Sequence, residues 1–208
     1  MSDTSVLVIL GASRSNKLMP RYLDQLQAGG INFHVESLPE LTSSSDGTLG
    51  WCVRKWMDFA ERFERYERLV LTDAWDVLFF GDRDELCWKL SLFAPHVLFA
   101  SEKNCYPEGF LADKIKGEGP HKFVNGGMLT ASPDELWRWC REVERHSEYE
   151  PRMIGQQWMN RRLAEQSPLA RIDSQTQLFF CLFGGYDELE FENGRMVNRM
   201  YGTRPLFA

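Results

Sequence analysis

The sequence predicts an α/β domain, a mixed and mostly parallel sheet flanked by helices. Three observations carry this. Val6-Leu-Val-Ile-Leu10 is a continuous apolar run without polar alternation, the pattern of a strand covered on both faces, as in parallel sheets. Strand-like and helix-like segments alternate along the chain with no internal repeat, low-complexity tract or interdomain linker, which favours one α/β layer structure over residues 1–208. A second apolar run, Leu69 to Leu71, ends on Asp73, and open α/β sheets bind ligands at the carboxyl ends of their parallel strands.

Composition bounds the function. With 208 residues, 43% hydrophobic and 13% aromatic, the chain can bury a sizeable core. Its net charge of −6 argues against a nucleic-acid backbone as the main partner, though not against an enzyme that modifies one. Five cysteines, an odd number with no C-x-x-C spacing, read as mostly buried thiols in a reducing compartment. The N-terminus has no basic region ahead of its short apolar run, and no stretch has the length of a membrane span. Those features predict a cytoplasmic chain with no membrane partner.

The elements follow in order. Val6 to Leu10 is the first strand, ended by Gly11-Ala-Ser-Arg-Ser. A helix around Tyr22, Leu23 and Leu26 stops at Gly29-Gly30, a common C-terminal signal. A strand follows near Ile31 to Val35, then a Ser, Gly, Pro and Thr-rich mobile loop over residues 37–50, long enough to suggest function. Arg54 to Tyr66 carries Trp56, Phe59, Phe63 and Tyr66 on one helical face, which reads as core. Val77 to Phe80 is strand-like, and Asp82-Arg-Asp-Glu85 opens a helix with capping-box spacing. His96 to Ser101 is a strand, and 104–124 is an irregular active-site loop. Phe123-Val-Asn-Gly-Gly-Met-Leu-Thr130 reads as a turn feeding a strand, and Ser132-Pro-Asp-Glu135 as a strong helix start. A helix over about Met153 to Leu163 precedes short strands near Ala170 to Ile172, Leu178 to Phe183, Leu189 to Phe191 and Met196 to Val197.

The chemistry concentrates at Asp73 and Asp76, two carboxylates between two apolar runs. Such a pair can hold a divalent cation against a phosphate-bearing ligand. It also suits a plain Asp-containing turn. Gly11 to Ser15 and Asp73 to Asp76 both fall at strand ends, so they can share one cleft.

At Thr72-Asp-Ala-Trp-Asp-Val-Leu-Phe79 the chain resembles a metal-dependent GT-A glycosyltransferase, and more narrowly the glycosyltransferase domain of the procollagen lysyl hydroxylase (PLOD) family. Further pieces agree in order: Leu98-Phe-Ala-Ser-Glu102, Cys105-Tyr-Pro107, Lys122-Phe-Val-Asn-Gly-Gly127, Ile172-Asp173 and Gln177-Leu-Phe179. The likeness covers about residues 50–208, and the start more loosely. It implies a GT-A-type nucleotide-sugar-binding fold in which Asp73 and Asp76 hold Mn²⁺ or Mg²⁺ against the diphosphate of UDP-glucose or UDP-galactose. It implies further that Gly11 and Ala12 line the base and ribose, and that Trp75 faces the ribose or uracil; a Trp75 turned to the core is the alternative. By the same resemblance Asn125, Gly126 and Gly127 sit against the transferred sugar or acceptor, Glu102 bonds a sugar hydroxyl or caps a loop, and Gln156 faces the sugar. For Asn125-Gly126 a simple turn between strands stays open.

Two departures stand out. The resemblance places an Asp where this chain has Gly155, so a carboxylate near the acceptor is missing. It also places a metal-binding His about where this chain reaches Arg204-Pro-Leu-Phe-Ala208, and none of His34, His96, His121 or His146 matches that position. Mn²⁺ and Mg²⁺ tolerate two carboxylates completed by water and phosphate. The sequence therefore suggests a UDP-sugar glycosyltransferase acting on a hydroxyl acceptor of open class. The alternatives are a catalytically silent nucleotide-sugar-binding module and, behind it, a metal-dependent nucleotidyltransferase.

Overall fold

A computed structural model of the chain describes residues 5–12, 18–37, 48–74, 76–115, 119–146, 148–164 and 167–208, the side chains of 163 and 164 aside. Six strands make the main sheet: β1 (Val6–Ala12), β2 (Phe33–Ser37), β3 (Arg68–Asp73), β4 (Val97–Glu102), β5 (Phe123–Ala131) and β6 (Ala170–Ile172), in the order β2-β1-β3-β5-β4-β6. β1 runs parallel to β2 and β3, β4 runs parallel to β6, and β5 lies antiparallel to both β3 and β4. The sheet is thus mixed and mostly parallel, as the sequence predicts.

Strand alternation sends side chains to two cores. Leu7, Ile9, Leu69, Leu71, Val97 and Phe99 face one, where α2 (Leu49–Arg62), α4 (Pro133–Arg145) and α5 (Gly155–Ala164) pack. Val8, Leu10, Val70 and Leu98 face the other, with α1 (Met19–Ala28) and α3 (Arg83–Ser91). Continuous apolar strands are what such two-sided burial requires. A separate hairpin, β7 (Leu189–Glu192) with β8 (Arg195–Asn198), follows the sheet.

The helix starts obey their local signals. Asp82 caps α3 by accepting from Glu85 N, and Ser132 with Glu135 closes a full capping box on α4. Gly29 and Gly30 end α1, Gly30 at φ +69°. The aromatic stripe of α2 is core: Trp56 and Phe59 are buried, and Phe63 and Tyr66 pack on the same cluster. α2 nevertheless begins at Leu49, not Arg54, because its first amides donate to Met153 O and Pro151 O across the chain. Residues 38–47 of the expected mobile loop lie outside the described residues.

Three expectations need correction. Val77 to Phe80 and Leu178 to Phe183 form no strand; each makes a single bridge to the C-terminal segment, Phe79↔Phe207 and Phe179↔Phe207. Residues 206–208 slot between the two apolar runs, with Leu78 N donating to Ala208 O and Phe180 N to Phe207 O. Asn125-Gly126-Gly127 is not a turn. It lies inside β5, where Phe99 pairs with Leu129 but the next residue, Ala100, pairs with Asn125. Gly126, Gly127 and Met128 therefore bulge, a device that re-aims a strand at sites.

Candidate functional site

Parallel pairing places Gly11 of β1 opposite Asp73 of β3, and Ala74 N donates to Gly11 O at 3.1 Å. The two strand ends therefore meet, as the sequence predicts. From the far side the β5 bulge brings Gly127 to Asp73. A Cβ added at Gly127 would lie 2.7 Å from Asp73 Oδ2 and 3.2 Å from Asn125 Oδ1. The glycine leaves a notch beside the carboxylate that no other residue would leave.

The notch joins two spaces. One is a cleft of about 430 Å³ lined by Asp73, Asp76, Asn125, Gly127 and Gln156 together with residues from Phe180 to Tyr186. The other is a smaller cavity of about 90 Å³ lined by Gly11, Trp51, Lys55, Thr72, Asp73 and Gly126 among others. Asp73 and Gly127 border both.

Asp73 and Asp76 accept no hydrogen bond or ion pair from any described residue, although both are exposed to the cleft. Confinement in the cleft, and then the Asp76 charge, push the Asp73 carboxyl up to about 7. Because Asp73 is water-accessible by its surface exposure, solvent moderates this push, and the direction is what counts. The donor set tests directly against a cation. Among the described residues no group of three or more His, Cys, Asp or Glu is arranged to hold a metal. Two oxygen-donor carboxylates without a described partner, beside a Cβ-free notch, do suit a hard divalent ion that completes its shell with water and phosphate oxygens.

Beneath the cleft lies a polar network. Glu102, at the end of β4, is buried at 6% exposure. Gln156 Nε2 donates to Glu102 Oε1 at 2.6 Å, and Asn125 Nδ2 donates to Glu102 Oε2 at 3.2 Å. The Cys181 thiol sits 3.8 Å from the same oxygen. An ionised carboxylate only accepts, so it fixes both amides nitrogen-inward. Their oxygens then take backbone amides of the bulge: Gly127 N donates to Asn125 Oδ1 at 3.0 Å and Gly126 N to Gln156 Oε1 at 3.1 Å. Burial pushes the Glu102 carboxyl up against the pull of its three donors. Burial also pushes the Cys181 thiol up to about 11, so it stays protonated at neutral pH.

Asp73, Asp76, Asn125, Gly127 and Gln156 are thus brought together on one cleft, with Gly11 and Gly126 on the adjoining cavity. Glu102 lies under the wall, reaching the cleft through the two amides. The Ala12 methyl packs into the core on the α1 side, so only its backbone is available to a ligand. Trp75 lies outside the described residues. Gly155 is buried at the start of α5 and brings no carboxylate. The sequence reading missed Cys181, Phe183 and Tyr186 on the cleft, and Trp51 and Lys55 on the cavity. Nothing local marks the first three: Cys181 and Phe183 arrive from a segment that reads as a strand, and Tyr186 from the turn that follows it. Trp51 and Lys55 lie one turn from the Trp56–Phe59 stripe on α2.

Comparison with known proteins agrees with this arrangement. The sequence profile of the PLOD GT domain family matches residues 2–208. Procollagen-lysine,2-oxoglutarate 5-dioxygenase 2 of Mus musculus is 24% identical over 213 residues, covering 97% of this chain and 29% of that protein. The multifunctional procollagen lysine hydroxylase and glycosyltransferase LH3 of Homo sapiens is 25% identical over 162 residues, covering 75% of this chain and 22% of that protein. The chain thus spans less than a third of the length of these relatives. Among solved structures, a glycosyltransferase involved in glycosylating the major capsid of PBCV-1 superposes with a TM-score of 0.56 at 15% identity, over 98% of this chain and 92% of that one. That likeness is one of fold, the GT-A glycosyltransferase fold.

Proposed function

The chain belongs to the PLOD GT domain family, and from that premise we propose that it is a metal-dependent glycosyltransferase moving a hexose from a UDP-sugar to a hydroxyl acceptor. The observation that carries the reading is the notch: two carboxylates, Asp73 and Asp76, without a partner among the described residues, at a strand end facing a glycine whose Cβ would fill the space. Asp73 and Asp76 hold Mn²⁺ or Mg²⁺ there. When bound, the cation offsets the negative charge that gathers on the departing diphosphate.

Transfer breaks the bond from the sugar's anomeric carbon to the diphosphate and forms one to the acceptor oxygen. The chain's own residues position these parts. Gly11 and Gly126 border the cavity that takes the base and ribose of UDP-glucose or UDP-galactose, and the backbone of Ala12 follows Gly11 at the same strand end. Gly127 keeps backbone close to the diphosphate. Asn125 and Gln156, fixed in orientation by Glu102, present amides to the sugar hydroxyls at defined angles. Such fixed dipoles need no reorganisation when the bond breaks. The test is a thermal-shift screen of nucleotide sugars with Mn²⁺, since ligands that bind the native state raise its melting point. UDP-sugars raise it on this reading; an absence of any UDP-dependent shift would overturn it.

One observation favours a second reading, the catalytically silent binding module. Among the described residues, no acidic or His side chain other than Asp73 and Asp76 lines the cleft, so none of the others provides a general base there. On this reading UDP binds with Mn²⁺, yet neither transfer to an acceptor nor hydrolysis of the donor occurs.

A further inference from the structure

The outer face of α4 joins two grooves of opposite charge. Leu136, Trp139, Cys140 and Val143 of this helix are buried, a spacing of i, i+3, i+4 and i+7 that faces them to the core. The same spacing turns Trp137, Arg138, Arg141 and Arg145 outward. An exposed aromatic standing singly is ordinary, but Trp137, 39% exposed, is the shared wall of both grooves. On one side lies a groove of about 430 Å³ whose charged lining is Glu61, Glu64, Glu67 and Asp134. Glu61 is on the last turn of α2, and Glu64 and Glu67 are in the chain that leads into β3. On the other side lies a groove of about 500 Å³ lined by Arg138, Arg141, Arg145 and Glu142, with His146 and Leu169.

Local pairs leave this charge available. Glu142 takes Arg162 at 2.6 Å, so the second groove presents its three arginines. Arg138 pairs with Asp134 at 2.6 Å and Arg141 with Glu144 at 2.7 Å. Both are solvent-accessible pairs between neighbours on one helix. Such pairs contribute little and exchange readily for a charge presented from outside. The Arg141 guanidinium also lies 5.7 Å from the Trp137 ring centre, which ties the ridge to the basic groove.

A groove of one sign alone would call for a partner of the other sign. Here both signs stand on one chain, on either side of an aromatic ridge, and a surface of that kind is complementary to itself. A two-fold axis through the ridge lays each acidic groove on the other copy's basic groove and brings the two Trp137 rings together. A symmetric contact requires this arrangement, in which residue i meets j and j meets i. Trp and Arg at the centre with charge around them also match the make-up of residues that dominate interfaces. We propose that the α4 face is the contact of a symmetric dimer between two copies of this chain.

The surface lies at the far end of the sheet from the cleft. Glu67 and Ser132 adjoin Arg68 and Ala131, and Ala131 pairs with Leu69 near the start of β3, whereas Asp73 ends that strand. A strand of this length spans roughly 16–20 Å, so the dimer leaves both clefts open. Assembly through α4 therefore does not depend on the glycosyltransferase reading.

The experiment is sedimentation equilibrium of the full chain over micromolar concentrations, in about 0.1 M and about 1 M NaCl, between which the screening length falls from about 10 Å to about 3 Å. A reversible dimer of twice the 24.2 kDa chain mass is expected, with a dissociation constant at least about tenfold weaker at the higher salt. Trp137→Ala should weaken it at least about tenfold. Trp88→Ala removes an exposed aromatic from α3, on the other face of the sheet, and should leave it within about twofold. Glu61→Lys with Glu64→Lys should abolish the dimer, and so should Arg141→Glu with Arg145→Glu. Mixed in equal amounts, the two double variants should associate again, since both contacts of the mixed pair join opposite charges. Circular dichroism melts show that each variant folds, and misfolding cannot mimic restoration on mixing. A parent that stays monomeric at low salt, a dimer that survives Trp137→Ala and both charge reversals, or a mixture that fails to associate overturns the proposal. So does a monomeric parent that instead takes up a poly-lysine probe in the acidic groove, which would assign that groove to a basic partner.

Discussion

Gly127→Ala separates a metal notch from a merely tight strand. The added Cβ would stand 2.7 Å from Asp73 Oδ2, about 0.8 Å inside the roughly 3.5 Å at which nonbonded heavy atoms rest. The obstacle is the end of a side chain and not backbone, so Asp73 can swing aside. Holding it off its preferred rotamer costs about 0.5–1.5 kcal/mol. Losing a glycine from the unfolded chain returns about 0.4–1 kcal/mol. Stability should therefore change by less than about 1 kcal/mol, a melting shift of a few degrees at most. Binding should not escape so lightly. Moving a positioned group by about 1 Å costs on the order of a hundredfold, and isothermal titration of Mn²⁺ and UDP should show a loss of tenfold to a hundredfold. Gly109→Ala is the matched control, outside the cleft and its adjoining cavity: its Cβ would meet nothing within 4 Å, so binding should stay within about twofold. If Gly127→Ala binds Mn²⁺ and UDP like the parent, the diphosphate does not sit at the notch.

Other outcomes follow from the same geometry. Because Asp73 is pushed up toward about 7, protons compete with the metal, and Mn²⁺-dependent affinity for UDP-glucose should rise from pH 6 to pH 8; a flat profile by titration calorimetry would contradict this. The folded state holds that proton more tightly than the unfolded state, so Asp73's stability contribution is present at low pH and is lost as pH rises through its folded pKa. Asp73→Asn should accordingly raise the melting point most above pH 7 and least near pH 4. Glu102→Gln puts an NH₂ group where two amides now donate, so Asn125 or Gln156 must turn; transfer should fall at least about tenfold while UDP affinity holds, and unchanged transfer would remove Glu102 from the orienting role. Asp173→Ala strands three amides, a half-buried one at Gln177 and buried ones at Leu178 and Phe179, which now donate to its carboxylate at 2.9, 2.7 and 2.9 Å. Chemical denaturation should show a loss of about 3–5 kcal/mol, and a loss under about 1 kcal/mol would mean that other groups satisfy those amides.

How much of this could be read in advance depends on the range of the interactions. Strands β1, β3 and β4 and the starts of α3 and α4 are set by neighbours in sequence, an apolar run or a cap three residues away, and they were legible. So was the meeting of Gly11 with Asp73, because parallel pairing of two buried strands forces it. The segments Val77 to Phe80 and Leu178 to Phe183 have strand-like composition, yet their partner is the chain near Phe207, far off in sequence, and it leaves room for single bridges only. The Asn-Gly-Gly stretch carries a turn signal that the antiparallel ladder on both sides overrides. The orienting network was invisible for the same reason: Glu102 meets Gln156 across 54 positions and Cys181 across 79. Spacing rules do not reach that far. In the sequence Asp173 and the Gln177–Phe179 run carry only a likeness; the structure gives the cause, a carboxylate gathering three backbone amides.

The most direct measurement is the affinity of UDP with and without Mn²⁺ for the parent, Asp73→Asn and Asp76→Asn. The parent should bind UDP far more tightly with Mn²⁺, and each variant should lose most of that gain, at least about tenfold or 1.4 kcal/mol. Both variants should keep their melting points at neutral pH or raise them, since neither carboxylate has a described partner to lose. If both bind UDP with Mn²⁺ as well as the parent does, the Asp pair is a turn between two apolar segments and the metal assignment is wrong.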